Sequence, residues 1–206
     1  MDLTSEILTR ARTLFTKCGV KSITMDDLAS GMGISKKTLY EKIDSKASLI
    51  EQMIQHHIRE EKRSLSKIKS QSHNAVEEMI LIAKYVIQLL QQVSPTVIFE
   101  IKKYYWDSWK KLEKLNNEHI LQVIQQNLKH GIEQGYYRQD LSIEIISRHY
   151  VTLASTITDL ELFPAGHYSM DRIFKETILY HLRGITTPAG WELCLKHFSN
   201  SDNYTI

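Results

Sequence analysis

Lysine and hydroxyl side chains are concentrated between positions 35 and 42 of the chain. The group comprises Ser35, Lys36, Lys37, Thr38, Tyr40 and Lys42. Ammonium and hydroxyl groups commonly contact the phosphates of nucleic acids, and a lysine pair can also donate to guanine O6 and N7. A single exposed lysine more often serves only to hydrate a surface helix. The cluster therefore indicates nucleic-acid binding only if the surrounding elements hold it on one outward face.

The residues on either side of this cluster predict two short helices joined by a tight turn. Thr24, followed three residues later by Asp27, is typical of a capping box at a helix start. Gly31 and Gly33 disfavour continuation of that helix and suit a left-handed turn. Ser35 then caps a second helix. This arrangement fits a helix-turn-helix, in which the second helix enters the major groove of DNA.

Within the second helix, Leu39 is predicted to face inward and the lysines outward. Lys36 and Lys37 lie in the first turn, beside a positive helix end that disfavours cations. Water and salt compensate for this in a free protein, and phosphates would do so in a DNA complex. Glu41 either points outward or accepts a hydrogen bond from a cytosine amine, and the sequence leaves both open.

Motifs for other kinds of chemistry are not found in the sequence. His56 and His57 are adjacent, and neighbouring helical residues point about 100° apart, which makes a poor metal pair. Cys18 and Cys194 lie at opposite ends of the chain and are predicted to be reduced structural thiols. There is no glycine-rich phosphate loop, nucleophile elbow or HExxH. We therefore predict a protein that is not an enzyme and has neither a metal nor a cofactor.

The composition is that of an ordinary globular protein. The 206 residues are 42% hydrophobic and 24% charged, with a net charge of +2. No apolar run approaches the roughly 18 residues of a membrane span, and the first 22 residues read as an amphipathic helix rather than a secretory signal. These features predict a cytoplasmic protein without a membrane partner.

Hydrophobic spacing is helical along almost the whole chain, and strand alternation is not evident. Ile7, Leu8, Ala11 and Phe15 form a stripe that ends at Gly19. Further helices are predicted at about residues 46–68, 76–90, 96–106, 112–132, 142–160, 169–183 and 191–198. The fold class is therefore all-α, with a small three-helix N-terminal domain before a larger helical domain. The predicted bounds are 1–47, 48–198 and a tail at 199–206.

The N-terminal residues resemble the TetR family of bacterial transcription regulators. The resemblance runs from about Ile7 to Met53, and it includes Ala11, Leu14, Phe15, Gly19, Thr24 to Ala29, Gly33 to Ser35, Thr38 to Tyr40, Ser45, Lys46 and Leu49. It implies a helix-turn-helix whose recognition helix follows Ser35, with Lys36 and Lys37 at base edges and Lys42 at the groove. Thr24, Thr38, Tyr40 and Lys46 would then contact phosphates. Ile43 stands where the family usually has an aromatic residue, a change expected to affect packing.

The resemblance also implies that the C-terminal domain binds a small ligand and dimerises through its last two major helices, here 142–160 and 169–183. Wide apolar stripes on both could serve core and interface together, although a purely intramolecular core remains an alternative. The candidate interface residues are Ile146, His149, Tyr150, Leu153, Ile173, Phe174, Thr177, Ile178 and His181. Two paired subunits would place their recognition helices about 34 to 36 Å apart on a palindromic operator.

Aromatic residues are concentrated between Phe99 and Trp109, where adjacent rings cannot all face one way. Such clusters are usually core, but aromatic walls also suit an apolar or planar ligand. The candidate ligand-binding residues are Tyr85, Phe99, Tyr105, Trp106 and Trp109.

Together these features predict a homodimeric, ligand-responsive DNA-binding regulator, a repressor of a palindromic operator released by a small apolar or aromatic effector. One alternative is a helical small-molecule-binding protein or enzyme with a vestigial helix-turn-helix. Another is an interaction module that binds a protein through its aromatic surface. Neither alternative requires the arrangement from Ser35 to Tyr40.

Overall fold

The computed structural model describes residues 2–159, 161–164 and 166–199, except for the side chains of residues 115, 116, 198 and 199. Its helices are α1 Leu3–Cys18, α2 Met25–Met32, α3 Lys36–Tyr40, α4 Lys46–Gln71, α5 Ala75–Gln92, α6 Pro95–Tyr104, α7 Trp106–Glu133, α8 Ile143–Thr156, α9 Met170–Ile185 and α10 Pro188–Ser199. The all-α prediction is confirmed. The tail predicted from residue 199 onward lies, after that residue, outside the described residues. In the described part of the chain, none of the helices is both long and apolar enough to cross a bilayer.

The chain divides into two compact units. Unit 1 comprises Met1–Lys62 and Gln92–Asn116, and unit 2 comprises Arg63–Gln91 and Asn117–Ile206. Helices α4 and α7 each contribute residues to both units. The functional division predicted at residue 47 stays a prediction, and unit 1 includes α6 and the first part of α7 besides the N-terminal helices.

The core of unit 1 forms where the apolar faces of the first four helices meet. The predicted stripe of α1 is buried, as are Leu28 of α2, Leu39 of α3 and Ile50 of α4. Ile43 is also fully buried in this core. From the later segment of the unit, partly buried apolar side chains pack against the same core: Val97, Ile101, Tyr105 and Leu112. Burial of these faces, rather than intrinsic propensity, stabilises helices as short as α2 and α3.

The core of unit 2 is formed mainly by α5, α7, α8 and α9, with Cys194 of α10 fully buried against it. A small polar cluster lies inside. The Tyr137 hydroxyl donates to the Ala75 carbonyl at 3.0 Å and lies 3.0 Å from Asn127 Oδ1. Asn127 Nδ2 donates to the Ala75 carbonyl and to Glu78 Oε2, both at 2.9 Å. Because each buried group has a partner, the cluster joins α5 to α7 without the cost of unpaired polar atoms.

Candidate nucleic-acid interface

The start of α2 is closed by the predicted capping box. The Asp27 amide donates to Thr24 Oγ1 at 3.1 Å, and the Thr24 amide donates to Asp27 Oδ2 at 2.8 Å. The Thr24 hydroxyl also donates to Asp27 Oδ2 at 2.6 Å. These hydrogen bonds, from the side chain first and the backbone second, lower the pKa of Asp27. The Thr24 side chain stays exposed, so it remains accessible at the surface while it caps the helix.

The turn between α2 and α3 has the geometry that its glycine predicts. Gly33 adopts a left-handed conformation with φ +68°, and its amide donates to the Ser30 carbonyl at 3.1 Å. The Ile34 amide donates to the Ala29 carbonyl at 3.1 Å. This closure satisfies carbonyls at the end of α2 and fixes where α3 begins.

Helix α3 is short and is capped by Ser35. The Thr38 amide donates to Ser35 Oγ at 3.0 Å, and the two hydroxyl oxygens lie 2.8 Å apart. Leu39 is fully buried, which confirms the predicted inward side. Burial of Leu39 turns the opposite side of α3 outward and thereby determines which residues can reach a partner.

The two lysines at the start of α3 have different surroundings. Lys36 Nζ forms an ion pair with the Asp26 carboxylate of α2. That hydrogen bond and the charge of Asp26 raise the pKa of Lys36. Asp26 thus supplies compensation for a cation at the helix start. Since exposed ion pairs are weak, a phosphate can replace Asp26 at little cost.

The other outward residues of α3 and its C-terminal flank lie on the surface. Lys37 and Lys42 are exposed, and within the described part of the chain neither pairs with a carboxylate. Tyr40 is 44% exposed, and Thr38 is half-buried. The structure therefore places Lys36, Lys37, Tyr40 and Lys42 on the exposed part of one short segment.

Lys46, at the start of α4, points into unit 1. Its Nζ donates to the Ile23 carbonyl at 2.5 Å and lies 5.8 Å from the centre of the Phe15 ring. Burial lowers the pKa of Lys46, while the nearby carboxylates of Glu100 and Asp27 oppose that shift. The ammonium is thus engaged in holding the segment between α1 and α2, and the phosphate contact remains a prediction.

Glu100 of α6 binds the turn that follows α1, a contact that the sequence pattern did not indicate. Its Oε2 accepts from the Val20 amide at 2.5 Å and from the Lys21 amide at 2.9 Å. Gly19, with φ +83°, brings the backbone close, and a Cβ there would lie 3.1 Å from Glu100 Oε2. The carboxylate therefore anchors α6 to the segment leading to Thr24.

Glu100→Gln is expected to lower the free energy of unfolding by about 2 kcal/mol, because the hydrogen bonds lost are made by a charged acceptor. The amides of Val20 and Lys21 should also exchange faster with solvent. Chemical denaturation and hydrogen exchange measure the two effects. Glu113→Gln, which removes an exposed carboxylate of α7, is the matched control. Unchanged protection of both amides in the Glu100 variant would contradict the anchoring role.

The predicted ligand-binding aromatics fall in both units. Tyr85 is half-buried in unit 2, whereas the other four belong to unit 1. Phe99 and Trp106 are 46% and 51% exposed, with Lys103 and Lys110 lying over their rings. Tyr105 packs against the unit 1 core. Lys102 lies 4.7 Å from the centre of the Trp109 ring, and the ligand role of all five stays a prediction.

The predicted interface residues of α8 and α9 also divide into two groups. Those buried in the core of unit 2 are Tyr150, Ile173, Phe174, Ile178 and His181. Those with more exposure are Ile146, His149, Leu153 and Thr177. Ile145, which belongs to the predicted apolar stripe of α8, is 54% exposed, and Tyr180, which the sequence analysis did not single out, is 75% exposed. Part of each apolar stripe thus serves the subunit's own core, and the interface role of these residues stays a prediction.

Comparison with known proteins relates the fold and the N-terminal segment to transcriptional regulators. Residues 7–53 match the sequence profile described as bacterial regulatory proteins, tetR family. The uncharacterized HTH-type transcriptional regulator YvaF of Bacillus subtilis is 26% identical over 80% of this chain and 86% of its own. Residues 7–53 therefore carry the helix-turn-helix segment of the TetR family, and the comparisons support a TetR-family transcriptional regulator.

One further relative and one solved structure are similar to this chain over most of its length. The HTH-type transcriptional repressor KstR2 of Rhodococcus jostii is 22% identical over 89% of this chain and 91% of its own. A transcriptional regulator from Cytophaga hutchinsonii has a similar structure, with a TM-score of 0.71, 17% identity, and coverage of 89% of this chain and 98% of that one. Residues 7–53, which match the TetR-family profile, include α2, the glycine turn and α3.

Proposed function

We propose that the protein is a homodimeric repressor that binds a palindromic operator in double-stranded DNA and is released by a small apolar or aromatic effector. The observation that carries this proposal is the exposed cationic side of α3, held outward by the buried Leu39 and by caps on both short helices. A helix presented in this way suits the major groove. The description of the KstR2 relative as a repressor supports the direction of regulation.

The proposed contacts are those that the TetR resemblance implies, and Lys46 must leave the Ile23 carbonyl to make its contact. Lys36 and Lys37 face base edges, Lys42 lies at the edge of the groove, and Thr24, Thr38, Tyr40 and Lys46 contact phosphates. A lysine can donate to guanine O6 and N7, whereas phosphate contacts mainly set position. Base preference therefore rests on Lys36 and Lys37, and the other residues set register and affinity.

Selection of bound duplexes from a random DNA pool, followed by sedimentation of the complex, tests this function. We expect enrichment of palindromic sequences whose half-sites are about one helical turn apart, or a multiple of it. The complex should contain an even number of protein chains. Failure to enrich any sequence, or a single chain on the selected duplex, would contradict the proposal.

The exposed side of α8 and α9 supports the proposed homodimer. Ile145 and His149 are four residues apart on α8 and share one helical face, and Tyr180 of α9 is 75% exposed. Large exposed apolar side chains on adjacent helices are common where two subunits pair. In a two-fold interface the same patch contributes from both chains, so these residues extend the predicted interface.

Tyr180→Arg is expected to weaken dimerisation at least tenfold, because it introduces a charge into an interface that contains the same position twice. Sedimentation over a concentration series measures the dimer dissociation constant. Tyr168→Arg replaces another exposed tyrosine of unit 2, outside α8 and α9, and is the matched control. Equal dissociation constants for the two variants would exclude α8 and α9 as the interface.

To release the protein from DNA, the effector must bind one conformation of the dimer more tightly than the conformation that binds DNA. Helices α4 and α7 belong to both units, so the chain itself links the proposed effector domain to the DNA-binding helices. We propose that the effector shifts α4 and so changes the spacing of the two α3 helices in the dimer. A coupling free energy of about 1 to 3 kcal/mol is typical of such regulation, and an effector that binds both states equally would leave DNA bound.

A further inference from the structure

A buried histidine in unit 2 has a ring nitrogen that makes no hydrogen bond with the described residues. His181 of α9 is 7% exposed, and its Nε2 has no hydrogen-bond partner among the described residues. The imidazole meets the Tyr150 ring of α8 edge-on, with 4.9 Å between ring centres and 63° between planes. Tyr150 is itself 3% exposed. Two polar side chains thus lie together in the interior of unit 2.

An unpaired polar atom in such a position calls for an explanation. Buried polar groups are nearly always paired, since leaving one unpaired forfeits its interaction with water. Phe174, Ile178 and Ile185 share the inward face of α9 with His181 and are buried in the same core. A partner that reaches Nε2 must therefore bring one polar group on a largely apolar body. Small-molecule sites have this character, with apolar walls and few oriented polar groups.

The charge state of the pair limits which polar group fits. Burial lowers the pKa of His181 to about 4, so the imidazole is neutral near pH 7. Burial also raises the pKa of Tyr150, which keeps its hydroxyl protonated. With neither side chain charged, a carboxylate entering this region would lose its hydration without meeting a cation. A hydroxyl or carbonyl loses much less and can hydrogen-bond to a neutral imidazole.

We propose that His181 and Tyr150 form the polar end of the effector site, and that the effector is an uncharged, mainly apolar molecule carrying a hydroxyl or carbonyl group. This inference rests on the proposed ligand-responsive function and specifies its ligand class. A hydroxyl suits either tautomer of His181, since it both donates and accepts, whereas a carbonyl requires the tautomer with the proton on Nε2. The remaining body of the molecule contacts the apolar side chains of the core.

Three bicyclic probes of nearly equal size test the ligand class: 2-naphthol, 2-naphthoate and naphthalene. Calorimetric titration of the full-length protein should show 2-naphthol binding about five- to tenfold more tightly than naphthalene, the gain expected from one hydrogen bond. Binding of 2-naphthoate should be weaker than that of either neutral probe. In protein labelled with ¹⁵N at histidine, 2-naphthol should shift the Nε2 resonance of His181.

Variants separate the polar contact from the apolar one. His181→Phe should reduce 2-naphthol binding to the level of naphthalene and leave naphthalene binding unchanged. Its thermal unfolding midpoint should stay the same or rise, because the variant replaces an unpaired polar atom by an apolar ring. His130→Gln, at an exposed histidine of α7, should behave as wild type. If the Phe variant fails to fold, Tyr150→Phe and the ¹⁵N shift of the wild-type protein still decide the matter.

The inference and the proposed function can fail separately. Once an operator duplex has been selected, addition of 2-naphthol should weaken its binding by the wild-type protein and not by the His181→Phe variant. Absence of any selected operator would overturn the function while the titrations still test the site. Equal affinities for 2-naphthol and naphthalene, tighter binding of 2-naphthoate, or an unmoved Nε2 resonance would overturn the inference even if operator binding is demonstrated.

Discussion

Replacement of both Lys37 and Lys42 by glutamine is expected to weaken operator binding about 100-fold at about 0.15 M salt. Both side chains are exposed and without a carboxylate partner in the described part of the chain. In a dimer the change removes four cations from the proposed DNA-binding surface. Because neither side chain contributes to the core, the unfolding midpoint should remain close to that of wild type.

The salt dependence of affinity gives a sharper measurement of the same contacts. If Lys36, Lys37 and Lys42 of both subunits approach phosphates or the groove, about six counterions are released, and log K against log salt should have a slope of about −5. The double variant should show a slope of about −2. Participation of Lys46 from both subunits would raise the wild-type slope to about −7 in magnitude. The slope therefore also tests whether Lys46 leaves the Ile23 carbonyl on DNA binding.

A matched control distinguishes local contacts from net charge. Lys67→Gln with Lys129→Gln removes the same charge from exposed positions on α4 and α7. We expect this pair to retain nearly wild-type affinity and slope. An equal loss of affinity in the control, or a salt slope unaffected in the Lys37 and Lys42 variant, would contradict the placement of DNA on α3.

Gly131→Ala is expected to lower the free energy of unfolding by about 3 to 5 kcal/mol. Gly131 is buried on α7, and a Cβ there would lie 2.1 Å from Tyr137 Cδ2. The Tyr137 ring cannot move aside without breaking its hydrogen bonds to the Ala75 carbonyl and to Asn127. In a helix interior, alanine normally stabilises a protein by about 1 kcal/mol relative to glycine. The clash with Tyr137 outweighs this gain, so the substitution is destabilising.

Chemical denaturation monitored by circular dichroism measures this effect. Gly184→Ala is the control, since its added Cβ would meet no atom within 4 Å and its backbone φ is not positive. That substitution should be neutral or slightly stabilising. If the Gly131→Ala variant has the same free energy of unfolding as wild type, the Tyr137 side chain can leave its position at little cost. The importance assigned to the polar cluster joining α5 to α7 would then be wrong.

Local features of the DNA-binding segment could be read from the sequence because the interactions that form them span few residues. The capping box joins Thr24 to Asp27, and the cap of α3 joins Ser35 to Thr38, each across three positions. The left-handed conformation of Gly33 is likewise a property of one residue and its turn. Residue type and spacing suffice for such features, so the helix-turn-helix and the outward lysines were predictable.

Contacts between distant residues were not predictable in the same way. Lys36 meets Asp26 across the turn, and Lys46 meets the Ile23 carbonyl, although the sequence placed Lys46 among the phosphate contacts. Glu100 reaches the Val20 amide from 80 positions away. Each contact depends on how the helices pack in unit 1, and no local pattern encodes that packing.

The sequence by itself determined the helices of this protein, their apolar faces and the family to which its first residues belong. Only the tertiary structure decided that Tyr150 and His181 lie in the subunit's own core while Ile145 and Tyr180 face outward. The physical reason is that hydrophobic periodicity specifies which side of a helix must leave water. It does not specify whether the same chain, another subunit or a ligand covers that side.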